Sequence, residues 1–457
     1  MMKKVFKRGR SMLLSAMLAV PCILPLHTAP AVAQEYTTNP QDSSFAAGEN
    51  IRVASHDTPE EDFMTENQST SAYAGELNGF APVLDENGQG IQIVPRKVIG
   101  RDERRPVEDT SKAPYSGICR LTINFPNGDV YSGTGFFLTP DTVLTAGHCV
   151  YDNTNNLGWA RSITVVPGNA DPSKEENQYH SSSLKAPMDW VTNRQGDTDY
   201  DLGLIKLNRP VDDSVAMLKL RTLDHANFAP VYELPGYPYT PNLELGQEPM
   251  MTARGSASAI AGRRTLLHTI DSSSGQSGAP ILNADNEVEA IHTFAKTKED
   301  FNGATAIDSF VCAFVASQTP ELPAPVYRLY NPNSGEHFYT TNYDELVYNV
   351  QLGWKDEGVA WRSEKGGTPV YRLYNPNAGD HHYTLDLNER EQLVKLGWDA
   401  EDISWYAATD EKNDAPVYRL YNPNAQAGAH HFTLNPTERD GLVKFGWTDE
   451  GTAFYSK

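Results

Sequence analysis

The chain has 457 residues, 59 of them acidic and 38 basic, and a formal charge of −21. That length calls for more than one domain. The acidity argues against a nucleic-acid partner, and no stretch after the N-terminal region is long and apolar enough to span a bilayer.

A basic stretch, Lys3 to Arg10, precedes an apolar run from Met12 to Leu26, and Ala31-Val32-Ala33 supplies a small-residue cleavage site. This is the pattern of a secretory signal over residues 1–33, and it implies export. Residues 34–97 are acidic, rich in Ser, Asn and Gly, and poor in apolar periodicity. Such composition builds no core and reads as a linker. Its end, Pro95-Arg96-Lys97, is a basic processing site, which makes it a pro-segment. Cys22 leaves with the signal, so Cys119, Cys149 and Cys312 remain, an odd number. Cys119–Cys149 is the leading bridge, with Cys312 competing for either partner.

From Val98 to Ser317 the pattern is short strands and turns. Cys119–Phe125 and Val130–Leu138 flank Pro126-Asn127-Gly128-Asp129 as a hairpin. Leu202–Leu207 is an apolar strand, and Ile281–Leu282 and Val288–Ile291 flank a second turn. One helix is expected at Ile307–Ala316. Two packed barrels would fit this all-β segment of residues 98–317. A Pro-rich linker, residues 318–324, follows.

Residues 325–457 repeat three times, as 325–368, 369–415 and 416–457, each unit opening on Pro-Val-Tyr-Arg-Leu-Tyr-Asn-Pro-Asn. A fixed period marks an array of one supersecondary unit, here β-β-α-β. Asn342, Asp386 and Asn435 are expected N-caps, each with Glu three residues on at Glu345, Glu389 and Glu438. Gly353, Gly397 and Gly446 are expected to end the helices. One unit cannot bury its own apolar face, so the three pack together.

Three motifs carry chemistry. His148 follows an apolar strand in Thr145-Ala146-Gly147-His148-Cys149, Asp201 precedes one in Asp199-Tyr200-Asp201-Leu202, and Ser277 lies in Gly275-Gln276-Ser277-Gly278. Serine is a weak nucleophile and needs an adjacent base, and imidazole takes and returns the proton. A carboxylate orients the ring and stabilises its cation. Asp199 is the rival for that carboxylate. A sharp turn at Gly275 would aim the amides of Gly275 and Ser277 at one point as an oxyanion hole.

Residues 98–317 resemble the bacterial glutamyl endopeptidases, serine proteases of the chymotrypsin fold. The resemblance rests on Val98-Ile99-Gly100 with Asp102 and Arg104, on Thr145 to Cys149, Tyr200 to Leu204, Gly236-Tyr237-Pro238, Gly275 to Pro280 and Ile291-His292-Thr293. It implies a double β-barrel with the triad His148, Asp201 and Ser277. It also implies a carboxylate pocket formed by His292 with Thr293, by Ser272 where the family has threonine, and by the α-amine of a mature Val98. Cleavage after glutamate, less readily after aspartate, would follow, with maturation by an outside protease cutting after Lys97. Gly133 stands where bacillus-type members place the cysteine that pairs with the one beside the catalytic histidine. The repeats resemble an uncharacterised repeat family of secreted bacterial proteins.

The implied partners are protein substrates with acidic residues, an activating protease and, through the repeats, cell-wall glycan. Five of the seven tryptophans lie in the repeats, and such rings can stack on sugars. No cofactor or metal is required by any motif. The alternatives are a protease of another primary specificity and a non-catalytic adhesin with a protease-like domain.

Overall fold

The structure, a computed structural model, describes residues 50–58, 83–84, 90–91, 93–94, 98–192, 198–223, 231–240, 243, 247–260, 263–296, 301–408, 414–425 and 427–456. The signal read at residues 1–33 lies outside the described residues. The segment read as a linker without a core nevertheless contains a strand, β1 (Val53–Asp57). Its alternation is too short to stand out in sequence, and it is ordered by joining the first barrel.

That barrel consists of β2 (Ile118–Asn124), β3 (Val130–Thr139), β4 (Thr142–Thr145), β5 (Ser162–Pro167), β6 (Tyr179–Pro187) and β7 (Gly203–Leu207). The β2–β3 hairpin turns where expected, with Gly128 at φ +87°, a conformation that favours glycine. The strand order is β6-β5-β2-β3-β4-β7, and pairing of β6 with β7 closes the barrel. Leu121, Ile123, Phe137, Val143, Ile163, Leu184 and Ile205 fill it. A one-turn helix, α1 (Gly147–Val150), follows β4, and α2 (Met188–Thr192) follows β6.

The second sheet contains β8 (Tyr232–Gly236), β9 (Met251–Gly255), β10 (Ala257–Ala259), β11 (Thr265–His268), β12 (Pro280–Leu282), β13 (Val288–Lys296) and β14 (Asn302–Ala306). Its order is β10-β11-β14-β13-β12-β8-β9, with the short strand Arg105–Pro106 paired beyond β9 and Ile93–Val94 paired with β13. Only Ser256 separates β9 from β10, and its carbonyl accepts from the Thr269 amide at 2.9 Å. β9 and β10, on opposite sides of the sheet, therefore run together as one bent strand. The last helix of this region, α3, spans Ser309–Gln318, two residues later than expected, because Asp308 caps it by accepting from the Val311 amide.

Cys119, Cys149 and Cys312 are buried free thiols, so the expected Cys119–Cys149 bridge is not formed. In the β2–β3 register Cys119 faces Gly135 rather than α1. A Cβ added at Gly133 would stand 3.3 Å from the Cys149 sulfur. Glycine there leaves Cys149 beside a missing side chain.

Each repeat is a three-stranded sheet with its first strand central and one helix. The first holds Pro325–Tyr330, His337–Thr340, α4 (Tyr343–Gln351) and Lys355–Arg362. The second holds Thr368–Asn375, Asp380–Thr384, α5 (Leu387–Lys395) and Asp399–Ala407, and the third Ala415–Tyr421, His430–Thr433, α6 (Pro436–Lys444) and Thr448–Ser456. Asn342, Asp386 and Asn435 cap the helices as expected, and Gly353, Gly397 and Gly446 end them at φ +95°, +94° and +95°.

The glutamates three residues into these caps act differently. The N-cap amides donate instead to Thr340, Thr384 and Thr433, each at 2.9 Å. Glu345 pairs with Arg372, Glu389 with Arg419 and Glu438 with Arg328, at 3.1, 3.3 and 3.2 Å. Each bridge joins one repeat to another, and the three close a ring. Inside it Tyr339, Trp361, Tyr383, Trp405, Phe432 and Phe454 form the core. The Tyr383 hydroxyl donates to the Tyr339 carbonyl and the Tyr339 hydroxyl to the Phe432 carbonyl, both at 2.9 Å.

The first repeat packs on the second barrel. Leu346 and Tyr327 belong to one buried cluster with Phe310, Val311 and Phe314 of α3, and Tyr343 and Val347 pack against it. Ser309 also donates to Asp356 at 2.8 Å. At the position of Leu346 the other repeats carry Arg390 and Arg439, which lie over Tyr371 and Tyr418 at 5.4 and 4.3 Å.

Candidate active site

The two barrels meet where β4 runs into α1 and where the Gly275–Gly278 turn precedes β12. Close packing here requires glycine. A Cβ at Gly278 would lie 2.0 Å from the Thr145 hydroxyl and 2.2 Å from the Thr134 carbonyl. One at Gly147 would lie 2.9 Å from the Leu202 amide and 3.1 Å from an Asp201 oxygen. These contacts draw the histidine turn, the aspartate turn and the serine turn onto one point.

His148, Asp201 and Ser277 are brought together and buried, at 3%, 0% and 2% exposure. His148 Nδ1 lies 2.9 Å from Asp201 Oδ2, and the His148 amide donates to Oδ1 at 2.9 Å. His148 Nε2 is hydrogen-bonded to the Ser277 hydroxyl. Burial disfavours the imidazolium, but the charge and hydrogen bond of Asp201 together with the neighbouring Cys149 outweigh it, and the ring's pKa is raised above 6.5. Thr305 donates to the Asp201 carbonyl at 3.2 Å, fixing that turn from the second barrel. Asp199 is elsewhere: it pairs with Arg263 at 2.7 Å and accepts from Thr265.

Gly275 has φ +91°, and a Cβ there would come within 2.4 Å of the Tyr237 carbonyl. The amides of Gly275 and Ser277 donate to no acceptor among the described residues. Their carbonyls are held by Thr134, whose hydroxyl donates to Gly275 O and whose amide donates to Ser277 O, both at 2.8 Å. The Thr134 hydroxyl also accepts from the Tyr237 amide at 3.0 Å. This residue of β3 thus sets the shape of the Gly275–Gly278 turn. Sequence reasoning missed it, because Ser132-Gly133-Thr134-Gly135 reads as an ordinary glycine-rich strand.

His292, on β13, is fully buried, and its amide donates to the Ala279 carbonyl just past Ser277. Its Nδ1 lies 3.0 Å from Nε2 of His268, a second histidine the sequence reading did not single out. Burial pushes His268 down to about 3, so it is neutral at neutral pH. Its only signal in sequence is a polar residue closing the apolar strand Thr265-Leu266-Leu267-His268. Ser272 is buried and its hydroxyl has no hydrogen-bond partner among the described residues. Thr293 is buried beside His292. The neighbouring Asp271 accepts from the Ile99 and Glu103 amides at 2.6 and 2.8 Å. It thereby pins the chain just after Val98 beside Ser272.

Residues 107–312 match the trypsin family model, and residues 325–457 match a domain of unknown function, DUF5648. The chain thus carries a trypsin-family domain over a little under half of its length. A similar protein is the extracellular metalloprotease of Bacillus subtilis (strain 168), 34% identical over 200 residues, or 43% of this chain and 61% of that protein. The chain thus spans less than two thirds of that relative's length. The glutamyl endopeptidase of Bacillus licheniformis is 27% identical over 290 residues, covering 61% of this chain and 83% of that protein. Among solved structures, a Glu endopeptidase in complex with MPD is 24% identical with a TM-score of 0.43, over 49% of this chain and 100% of that one.

Proposed function

We propose that the chain is a secreted serine endopeptidase that cleaves after glutamate and less readily after aspartate. The reading is carried by the hydrogen-bonded series Asp201–His148–Ser277 facing the two undonated amides of Gly275 and Ser277. His148 Nε2 takes the Ser277 proton as Oγ attacks the scissile carbonyl carbon. Asp201 stabilises the imidazolium that forms. The developing oxyanion accepts from the Gly275 and Ser277 amides, worth about 10²–10³ in turnover per donor. His148 then protonates the leaving amine, and water repeats the sequence to release the acid.

Preference for a carboxylate is supported by His292 and the unpaired Ser272 hydroxyl. A neutral His268 can accept from His292 Nδ1, an arrangement compatible with positive charge on His292 facing a substrate carboxylate. Cleavage after Lys97 would free an α-amine at Val98, one residue before the amide that Asp271 holds. Mapping the cuts made in a denatured protein by enzyme beginning at Val98 tests this reading. Cuts after Glu, fewer after Asp and none with Ser277→Ala are expected, and cuts after basic or aromatic residues would refute the specificity. Blocking cleavage by changing Lys97 should leave an inactive precursor, and full activity of the intact chain would sink the maturation step.

For the repeats we propose binding to cell-wall glycan. Trp361 and Trp405 are core residues, but Trp398 and Trp447 are only half-buried beside Leu396 and Phe445, which are 75% and 86% exposed. Full-length Ser277→Ala protein should be retained on purified cell walls, and Trp398→Ala with Trp447→Ala should release it. Failure of the unaltered repeats to bind would remove the proposal.

A further inference from the structure

The strand β1 lies 41 residues or more before Val98 but makes a full set of native contacts. It pairs antiparallel with β6 over five positions, from Val53 opposite Pro187 to Asp57 opposite Ser183. The pairing is extended at both ends: the Met188 amide donates to the Arg52 carbonyl at 2.8 Å, and the Thr58 amide donates to the Ser182 carbonyl at 3.1 Å. The Arg52 side chain pairs with Asp189 of α2 at 2.7 Å, and His56 stacks on Trp159 at 5.8 Å. Ile51 and Val53 pack on the cluster shared by the second barrel, α3 and the first repeat. Asn50 donates through its amide and its side chain to Asp344 of α4, at 3.2 and 2.9 Å. Residues 50–58 therefore fasten the first barrel to the first repeat.

None of these contacts involves the bond after Lys97, so its hydrolysis leaves them intact. We propose that the edge of β6, bounded by Asp189 and Asp344, is a docking groove that keeps residues 50–58 bound after maturation. The mature protein is then a two-chain complex. This rests on the maturation reading above, but docking requires only a cut somewhere between residues 59 and 97. The sequence brackets the docked piece with Glu49 on one side and Glu60-Glu61 on the other, and has no glutamate between them. An enzyme cutting after glutamate would trim the rest of the pro-segment and stop at the strand, leaving Asn50 to Glu60 or Glu61.

The test is to cleave the full-length chain with a lysine-specific endoprotease, since residues 34–97 contain only Lys97 as lysine. The product is passed through gel filtration in native buffer, and masses in the protein peak are then read under denaturing conditions. A fragment containing residues 50–58 should co-elute with 98–457 in nearly equal amount and separate in denaturant. With Ser277→Ala it should extend to Lys97, and with the active chain it should end at Glu60 or Glu61. A protein peak that holds 98–457 without any such fragment in the Ser277→Ala arm overturns the docking. A first mass that does not begin at Val98 refutes the cut after Lys97, while the presence or absence of residues 50–58 still decides the docking. Retention without trimming in the active chain refutes cleavage after glutamate at these sites alone.

Discussion

Asp199 and Asp201 differ by two positions and by their whole environment. Asp201 is fully buried on His148, whereas Asp199 faces Arg263 and Thr265. Asp201→Asn should lower kcat by about 10⁴, as loss of the orienting carboxylate does in serine proteases. Asp199→Asn should leave kcat/KM within about tenfold, since it only loosens a side chain pair near the surface. Steady-state kinetics on one peptide separate the two. The raised pKa of His148 gives a second expectation. The base must be deprotonated to act, so kcat/KM should fall as pH drops through a midpoint above 6.5. Thr134→Val would orphan the Gly275 carbonyl and the Tyr237 amide and should cost about 1–3 kcal/mol, read from chemical denaturation, with a fall in kcat as the nucleophile turn relaxes. The three residues that meet in the site, His148, Asp201 and Ser277, were legible because the proposed chemistry restricts the residue type. Thr134 and His268 were not, because they act on Gly275 and His292, which are 141 and 24 positions away in sequence.

At the level of elements, local rules set the ends of the repeat helices. Asn342, Asp386 and Asn435 cap from within four residues, and glycines at positive φ stop each helix. A Cβ at Gly397 would meet nothing within 4 Å, so Gly397→Ala isolates the backbone cost of φ +94°. A loss of about 1–2 kcal/mol is expected in thermal unfolding of the full chain. The glutamates looked equally local in sequence. Each lies at the position of a capping box, yet Thr340, Thr384 and Thr433 already satisfy the amide in question. The carboxylates are left for arginines of other repeats, a choice made by ring closure. The strand β1 was missed for a related reason: five residues without a core of their own become a strand only against the open edge of β6.

At the scale of the whole molecule, the first repeat is distinguished by what it touches. Leu346 is buried against α3, and Arg390 and Arg439 hold the same place in repeats that have no such neighbour. Leu346→Arg should therefore undock the first repeat from the barrels without unfolding the ring. Faster proteolysis within residues 318–324, with the two halves surviving as intact fragments, is the expected readout, and unchanged resistance would argue against this packing. By itself the sequence determined the features with a short physical range: turns that need glycine, helix caps, strand periodicity, the order of histidine, aspartate and serine, and the period of the repeats. Only the tertiary structure decided which aspartate meets His148, which histidine supports His292, where the glutamates pair, that the cysteines stay apart and that residues 50–58 join the barrel. Those outcomes depend on distances between segments far apart in the chain, which packing of the two barrels and closure of the ring establish together.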